Sequence, residues 1–445
     1  MLSKSSLEGW ERYPENLSES GFNGHEYNFS SYRQQLSHDS KRLFVPQSEK
    51  INIKIIDFAS SVSERIIERE STLEDHLRVM NPLPDAMINL LRACYCRAWM
   101  LTTSVFQSSW GRLVINESST RKLLTAFNVF PPFVEILRSF GQRTGFEDDS
   151  AGGIYLRNDG KHSVHEACYL AKQVEEHGRK EEDGVDVDPW SIRKMGVYHK
   201  SSSSSGDTFI ILNPSVTFRR RLTCMREHGG QISPQALHEM ILSCSMENWR
   251  WYISDLEKRY FKMATKAQLT QMDEKGDPIL PAANIGIADT QGIQVLQDKC
   301  EQLAHALELD CQVLQELQRQ FTHLPTGDGS DGPADLNYLL SLSGEAGVQV
   351  KRVDRLLKRL DGTIALTRTI LDFRCLASLQ HNSHVMTDIS TLSRDENVIM
   401  LDLTRKAARD TDIMKWITFL TLVYLPASFA AVSCLPRALT AEFLS

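Results

Sequence analysis

The stretch from Trp416 to Leu435 reads WITFLTLVYLPASFAAVSCL, twenty residues without a formal charge. At about 1.5 Å per residue, a helix of that length matches the ~30 Å hydrocarbon core of a bilayer. The alternative is a core helix, and Thr418, Thr421, Ser428 and Ser433 dilute the apolarity enough to keep it in view. Trp416 at the start suits a membrane interface, and Pro426 would kink a helix in lipid rather than forbid it. Arg405, Lys406, Arg409 and Lys415 precede the run whereas only Arg437 follows it, which places the large N-terminal part on the cytoplasmic side. The ten residues from Pro436 to Ser445 form a short tail, too short for a second crossing, so the expectation is a single-pass membrane protein.

The rest of the chain is ordinary in composition. Its 445 residues are 41% hydrophobic and 24% charged, which supports two or three folded units. Lys and Arg number 50 against 57 Asp and Glu, a balance that argues against nucleic acid as a partner. Nine cysteines without a CxxC pair fit free thiols in a reducing compartment, and the first thirty residues hold no apolar run of signal-peptide type.

Patterning divides the sequence into a loosely ordered lead-in (1–50), a mixed α/β cytoplasmic domain (51–225), long helices forming a coiled-coil hairpin (232–345), a stalk helix (346–415), the transmembrane helix (416–435) and the tail (436–445). The fold class is thus α+β. Alternation over Ile51–Ile55 and the apolar run Phe209–Leu212 predict strands, while Ser119–Phe127 and Val164–Glu176 read as helical. Arg179–Asp188 reads as a charged loop, and Ser201–Ser205 as a polyserine loop leading into a strand at Thr208. Ser233-Pro234 starts one long helix, followed by a Pro/Gly-marked connection from Gly276 to Gly292. Ile293, Leu296, Cys300, Leu303, Leu307, Leu314, Leu317 and Phe321 then keep a heptad that only Asp310 breaks. After a loop over Leu324–Gly347, Val350, Val353, Leu357, Leu360, Ile364, Thr367 and Leu371 resume the rhythm, so two adjacent helices should pack as an antiparallel hairpin. No proline lies between Thr363 and Leu425, which allows one helix to run into the span, with His381–His384 its poorest helix-forming stretch.

Chemistry-bearing motifs are weak. His162, His165 and Glu166 lack the HExxH order, Asp328–Gly332 lacks a calcium loop's later ligands, and no nucleophile elbow, dinucleotide fingerprint or phosphate loop is present. Arg219–Arg221 fits an exposed face, and Trp249–Tyr252 fits core packing at helical spacing. No enzyme and no bound cofactor are expected.

The order of these parts, ending in TFLTLVYLPASFAA, resembles the CorA family of magnesium channels, and SWGRLVIN, FNVFPPFVEILRSFG, VEEHGRK, DPWSIRKMGVYHK and MENWRWYISDLEKRY are similar to the divergent CorA-like transporter-domain proteins of fungi. The resemblance spans roughly residues 85 to 431. It implies a cytoplasmic α/β domain, a stalk helix that becomes the first pore-lining span, a homo-oligomer (five copies in the family) or assembly with a full-length CorA-like paralogue, and Mg²⁺ as the transported ion. Thr418, Thr421 and Ser428 become the pore-facing candidates and Pro426 the membrane kink. The family's Gly-Met-Asn mouth and second span have no counterpart after Ala431, so the expectation is a chain truncated after its first span and not competent to transport alone. The competing expectation is a non-transporting coiled-coil interaction or regulatory protein, soluble or membrane-tethered.

Overall fold

A computed structural model describes residues 7–20, 22, 26–47, 49–57, 63–79, 96–101, 111–142, 152–159, 164–176, 188–202, 206–227, 233–273, 284–323 and 333–433. In chain order the elements are two 3₁₀ turns (Trp10–Arg12, Glu15–Ser20), α1 (Phe29–Leu43), β1 (Ile53–Asp57), β2 (Ser63–Ile67), α2 (Glu70–Val79), β3 (Cys96–Leu101), α3 (Glu117–Ala126), α4 (Phe133–Arg138), β4 (Ile154–Asp159), β5 (Val164–Glu176), β6 (Trp190–Ser202) and β7 (Gly206–Leu212). All-helical chain follows: α5 (Val216–Glu227), α6 (Pro234–Met246), α7 (Trp249–Leu269), α8 (Ile287–His323) and α9 (Pro333–Ser433). The contacts separate into one unit of residues 1–265 with 287–365 and a second of 266–286 with 366–445.

The first unit is built on a seven-stranded sheet in the order β2-β1-β3-β7-β6-β5-β4. All neighbours are antiparallel except β3 and β7. Each face carries its own core. On one, Tyr169, Ala171, Met195, Val197, Phe209 and Ile211 meet buried residues of α5 to α9. On the other, Cys168, Leu170, Tyr198, Ile210 and Leu212 meet α1, α3 and α4. Helix α4 lies so close to β6 that a Cβ on Gly196 would stand 2.9 Å from Ile136 Cγ2.

This two-sided burial explains a correction. Val164–Glu176 is not a helix but the thirteen-residue strand β5, paired with β6 along its whole length. A strand covered on both faces has no polar alternation, and its apolar run then mimics helical spacing. Ser201 and Ser202 likewise end β6 rather than a loop. Residues 203–205, the loop read at 179–187 and the tail at 436–445 lie outside the described residues.

The lead-in expected to be loosely ordered instead holds α1 and both 3₁₀ turns, with Tyr13, Leu17, Leu36 and Leu43 fully buried. Polar anchors fix it: Tyr13 Oη donates to Val129 O at 2.9 Å, and the Arg42 guanidinium donates to the carbonyls of Phe140 (2.7 Å) and Arg138 (2.9 Å). Such anchors leave no hydrophobic period, because α1 buries only Leu36 and Leu43 along its length.

The helix after Ser233 starts as expected, the Ser233 Oγ accepting from Ala236 N at 3.1 Å, but it is two helices, not one. The break falls at Glu247-Asn248. Asn248 O receives the N–H groups of Trp251 and Tyr252, and its side chain donates to Val174 O at 3.0 Å, so it starts α7 and ties it to β5. Trp249 and Tyr252 are core, as their spacing suggested, whereas Trp251 is 59% exposed.

Helices α8 and α9 share one apolar core and meet antiparallel, Gln297 Nε2 donating to Asp361 Oδ1 at 3.2 Å. The loop expected over Leu324–Gly347 is shorter, because α9 starts at Pro333 and contains Gly344 and Gly347. Leu339, Leu342 and Ala346 are buried on its inner face and offset the two glycines' poor helix propensity.

Two buried polar arrangements lock the helices onto the sheet. His199 Nε2 lies 3.2 Å from Asp207 Oδ1, its Nδ1 lies 3.0 Å from His238 Nε2, and His238 Nδ1 lies 2.7 Å from Tyr169 Oη. One direction satisfies every atom: Tyr169 donates to His238, His238 to His199, and His199 to Asp207, with both rings neutral. Burial, and secondarily the neighbouring His199, hold the His238 pKa well below its usual value. The second arrangement is Asp310, the one heptad exception. Strand β4 pairs β5 only as far as Tyr169, and Asp310 Oδ1 accepts the Lys172 N–H just beyond, at 3.0 Å. The misfit residue supplies an acceptor for a strand amide that lies beyond the end of β4.

Among the described residues Asp310 Oδ2 has no hydrogen-bond partner, and burial pushes the carboxyl pKa up to about 8 despite the Lys172 N–H and the Lys172 charge. An acid whose folded pKa is raised binds its proton more tightly when folded, so the folded state loses stability as pH rises between the unfolded pKa and about 8. Thermal unfolding of the full chain should therefore show a downward slope of stability from pH 5 to pH 8 that Asp310→Asn flattens. At pH 5 Asp310→Ala should lower stability by roughly 1–3 kcal/mol, because the Lys172 amide loses its acceptor. A slope that survives in Asp310→Asn would contradict the assignment.

Candidate functional site

The second unit centres on the C-terminal part of α9. From Ser378 to Ala430 every residue of this helix is exposed, and the exposed side chains include Leu376, Leu379, Met386, Met400 and Met414. Among the described residues α9 is the one helix long and apolar enough to cross a membrane. It continues through Pro426 to Ser433, so the proline sits inside the helix. Because proline has no N–H, the Leu422 carbonyl lacks its usual donor there.

The three span hydroxyls are all turned back onto their own helix. Thr418 Oγ1 donates to Met414 O at 2.7 Å, Thr421 Oγ1 to Thr418 O at 2.8 Å, and Ser428 Oγ to Leu425 O at 2.9 Å. Thr411 and Thr404 do the same one and two heptads before Thr418, donating to Ala407 O (2.7 Å) and Met400 O (2.6 Å). With its proton so placed, each hydroxyl keeps a lone pair facing outward, which can accept from a water or from the hydration shell of an ion.

These hydroxyls belong to a longer column that the sequence reading missed. Taken in steps of seven from Leu376, the positions are Leu376, Ser383, Ser390, Asn397, Thr404, Thr411, Thr418 and Leu425. Three residues on from each come Leu379, Met386, Ser393, Met400, Ala407, Met414, Thr421 and Ser428. None is charged, although Asp388, Arg394, Asp395, Glu396, Asp402, Arg405, Lys406, Arg409, Asp410, Asp412 and Lys415 crowd the other faces of the same turns. The signal was present as the absence of charge at two heptad positions, which an apolar template does not detect. This column is offset from the seam of Val353 and Leu360 that packs inside the first unit.

Acid–base pairs flank the column rather than enter it. Lys406 pairs with Asp402 at 2.9 Å and Lys415 with Asp412 at 3.0 Å, all four side chains well exposed and each pair worth little by itself. Trp416 and Phe419 meet edge to face at 6.2 Å at the start of the apolar run. Among the described residues no group of His, Cys, Asp or Glu could hold a metal. His165 instead contacts Asn158 at 3.0 Å, and buried Glu166 pairs with Arg157 at 3.0 Å and accepts from Tyr198 Oη at 2.8 Å. Arg221 of the arginine run is engaged with Ser243 (2.7 Å) and Glu247 (3.6 Å).

Residues 5–268 match the profile of the family described as CorA-like transporters. The chain belongs to the CorA-like family. The match covers the sheet domain and the helices up to α7, and the family is one of transporters. No curated protein matches the sequence. Among solved structures, the complete CorA magnesium transporter from Methanocaldococcus jannaschii is 12% identical, covering 76% of this chain and 82% of its own, with a TM-score of 0.45. The full-length CmaX protein is 11% identical over 90% and 91% with a TM-score of 0.40, and the ZntB cytoplasmic domain from Vibrio parahaemolyticus is 9% identical over 75% and 98% with a TM-score of 0.36. At such TM-scores the assignment rests on the family match alone.

If residues 416–433 of this CorA-like chain lie in a bilayer, a charge at their centre is the sharpest perturbation available. Leu425→Arg should cost about 2.5–3.5 kcal/mol of insertion. Alkaline carbonate extraction of membranes should then release a sizeable part of the variant while the parent chain stays in the pellet. Parent protein in the supernatant would contradict a spanning helix.

Proposed function

We propose that this protein is a divalent-cation transporter-type membrane protein, with magnesium as the expected ion, whose α9 helices from several copies surround a common axis. The uncharged column from Leu376 to Ser428 supports the reading. In a single chain it faces nothing, and a mixed hydroxyl, amide and thioether surface is a poor lipid or core contact but a good lining for a hydrated ion. Mg²⁺ gives up its water reluctantly, so a path of neutral acceptors that contact the hydration shell suits it better than a cage of carboxylates. Thr418, Thr421 and Ser428 lie on this column and are proposed to face the axis, with Pro426 loosening the helix between the last two. The positively charged turns before Trp416 support an N-terminal domain on the cytoplasmic side of a single crossing, and five copies, as the family resemblance implies, would close the ring.

One observation favours the second reading, a non-transporting coiled-coil interaction protein. The same column carries Leu376, Leu379 and three methionines, which pack as well as they line. Uptake separates the two. The sequence led to the expectation that this chain does not transport alone, and the continuous column argues instead for passage, so vesicles carrying the full chain and a magnesium-sensitive dye should show entry of Mg²⁺ that Thr421→Arg abolishes and Thr421→Ser preserves. Entry indifferent to charge at Thr418 and Thr421, or no entry at all, would favour the interaction protein.

A further inference from the structure

Between α1 and the start of α3 the first unit encloses an open cavity of about 730 Å³, within the ~300–1,000 Å³ range of small-molecule sites. Four cations line it, Arg33, Lys41, Arg112 and Arg121, against two acids, Glu11 and Glu117. The local excess is positive in a chain whose formal charge is −7.

The cations divide by role. Arg121 is 5% exposed and fully committed, to Glu117 Oε1 (2.9 Å), to the carbonyls of Glu11 (3.3 Å) and Tyr13 (2.9 Å), and to Ser37 Oγ (2.9 Å). It shapes the wall and neutralises Glu117. Arg33 is shared with Glu15 at 2.5 Å. Lys41 and Arg112 have no carboxylate partner among the described residues, and both face the cavity. Glu70, behind the wall, is already held by Lys122, Ser118 and Asn116, so it does not compete for them. Among the described residues lining the cavity, Glu11 is the one acid without an ion-pair partner.

Donors other than side-chain cations belong to residues that line the same cavity. Asn116 caps α3, its Oδ1 accepting from Ser119 N at 2.8 Å, which leaves the N–H groups of Glu117 and Ser118 without a carbonyl in the helix. The Ser40 hydroxyl adds another. A carboxylate uses two such donors, whereas a phosphate presents several oxygens at tetrahedral angles and uses them all. Trp10 and Phe44 supply an apolar wall, the indole lying under Lys122 Nζ at 4.6 Å. We propose that this cavity binds a small phosphorylated anion of nucleotide size, held by Lys41 and Arg112. The proposal is independent of ion passage along α9.

Equilibrium dialysis on the full chain in detergent, at low salt, with ATP, pyrophosphate and inorganic phosphate as probes, tests it. ATP and pyrophosphate should bind saturably and more tightly than inorganic phosphate, with affinity falling as salt rises. Lys41→Glu and Arg112→Glu should each weaken binding by about tenfold or more, and Lys41→Gln and Arg112→Gln by less, while Lys351→Glu on the far helix changes nothing. Unchanged circular dichroism of the glutamine variants keeps the comparison meaningful. Absence of saturable binding, ATP no tighter than inorganic phosphate, or binding unaltered in both Lys41 and Arg112 variants would overturn the proposal.

Discussion

A helix that cannot bury its own apolar side chains within its own chain governs this protein. From Ser378 to Ala430 α9 is exposed on every face, and Met386, Met400 and Trp416 are each more than two-thirds exposed. Apolar area of that extent left in water is strongly unfavourable, at about 25 cal/mol per Å². A bilayer and further copies of the same helix are the surroundings that would cover it, and the distribution of charge divides the helix accordingly. Its lower end, Trp416 to Ser433, has no charge on any face, as lipid demands. Above that, charges occupy every face except the column from Leu376 to Met414.

The first unit is organised on the opposite principle. Its sheet is buried on both faces, and buried polar groups are placed where the sheet would otherwise leave donors or acceptors unmet. Asp310 and Asn248 serve the stretch of β5 that β4 does not pair, one accepting from Lys172 N and the other donating to Val174 O. The chain from Asp207 through His199 and His238 to Tyr169 crosses the sheet–helix boundary with every atom partnered. Phe209 stacks on His199 at 4.1 Å and packs against that part of the chain. Such networks are costly to leave half-made, which makes the sheet and its helices a single arrangement rather than two that slide.

Legibility in the sequence followed one-sidedness. The heptads of α8 and α9, the Ser233 cap, the helix near Ser119 and the strands near Ile53 and Phe209 each show one apolar face or one short apolar run, and each could be read. Strand β5 could not, because burial on two faces erases the period that distinguishes a strand. Nor could α1, which polar anchors hold in place as much as apolar burial does. Asp310 was visible as an exception, but its meaning required knowing where β4 stops. In α9 the polar span residues were identifiable singly, whereas their place in a column reaching back to Leu376 emerges only once the helix is known to be unbroken.

The central claim is that this column faces other copies of the chain. It is tested most directly by single cysteines introduced into full-length protein in membranes, in a background where Cys375 and Cys434 are serine. Under mild oxidation Thr411→Cys and Thr404→Cys should give disulfide-linked dimers, whereas Arg409→Cys and Asp402→Cys, on the charged faces of the same turns, should remain monomeric. Equal crosslinking at all four positions, or at the charged positions only, would contradict the account.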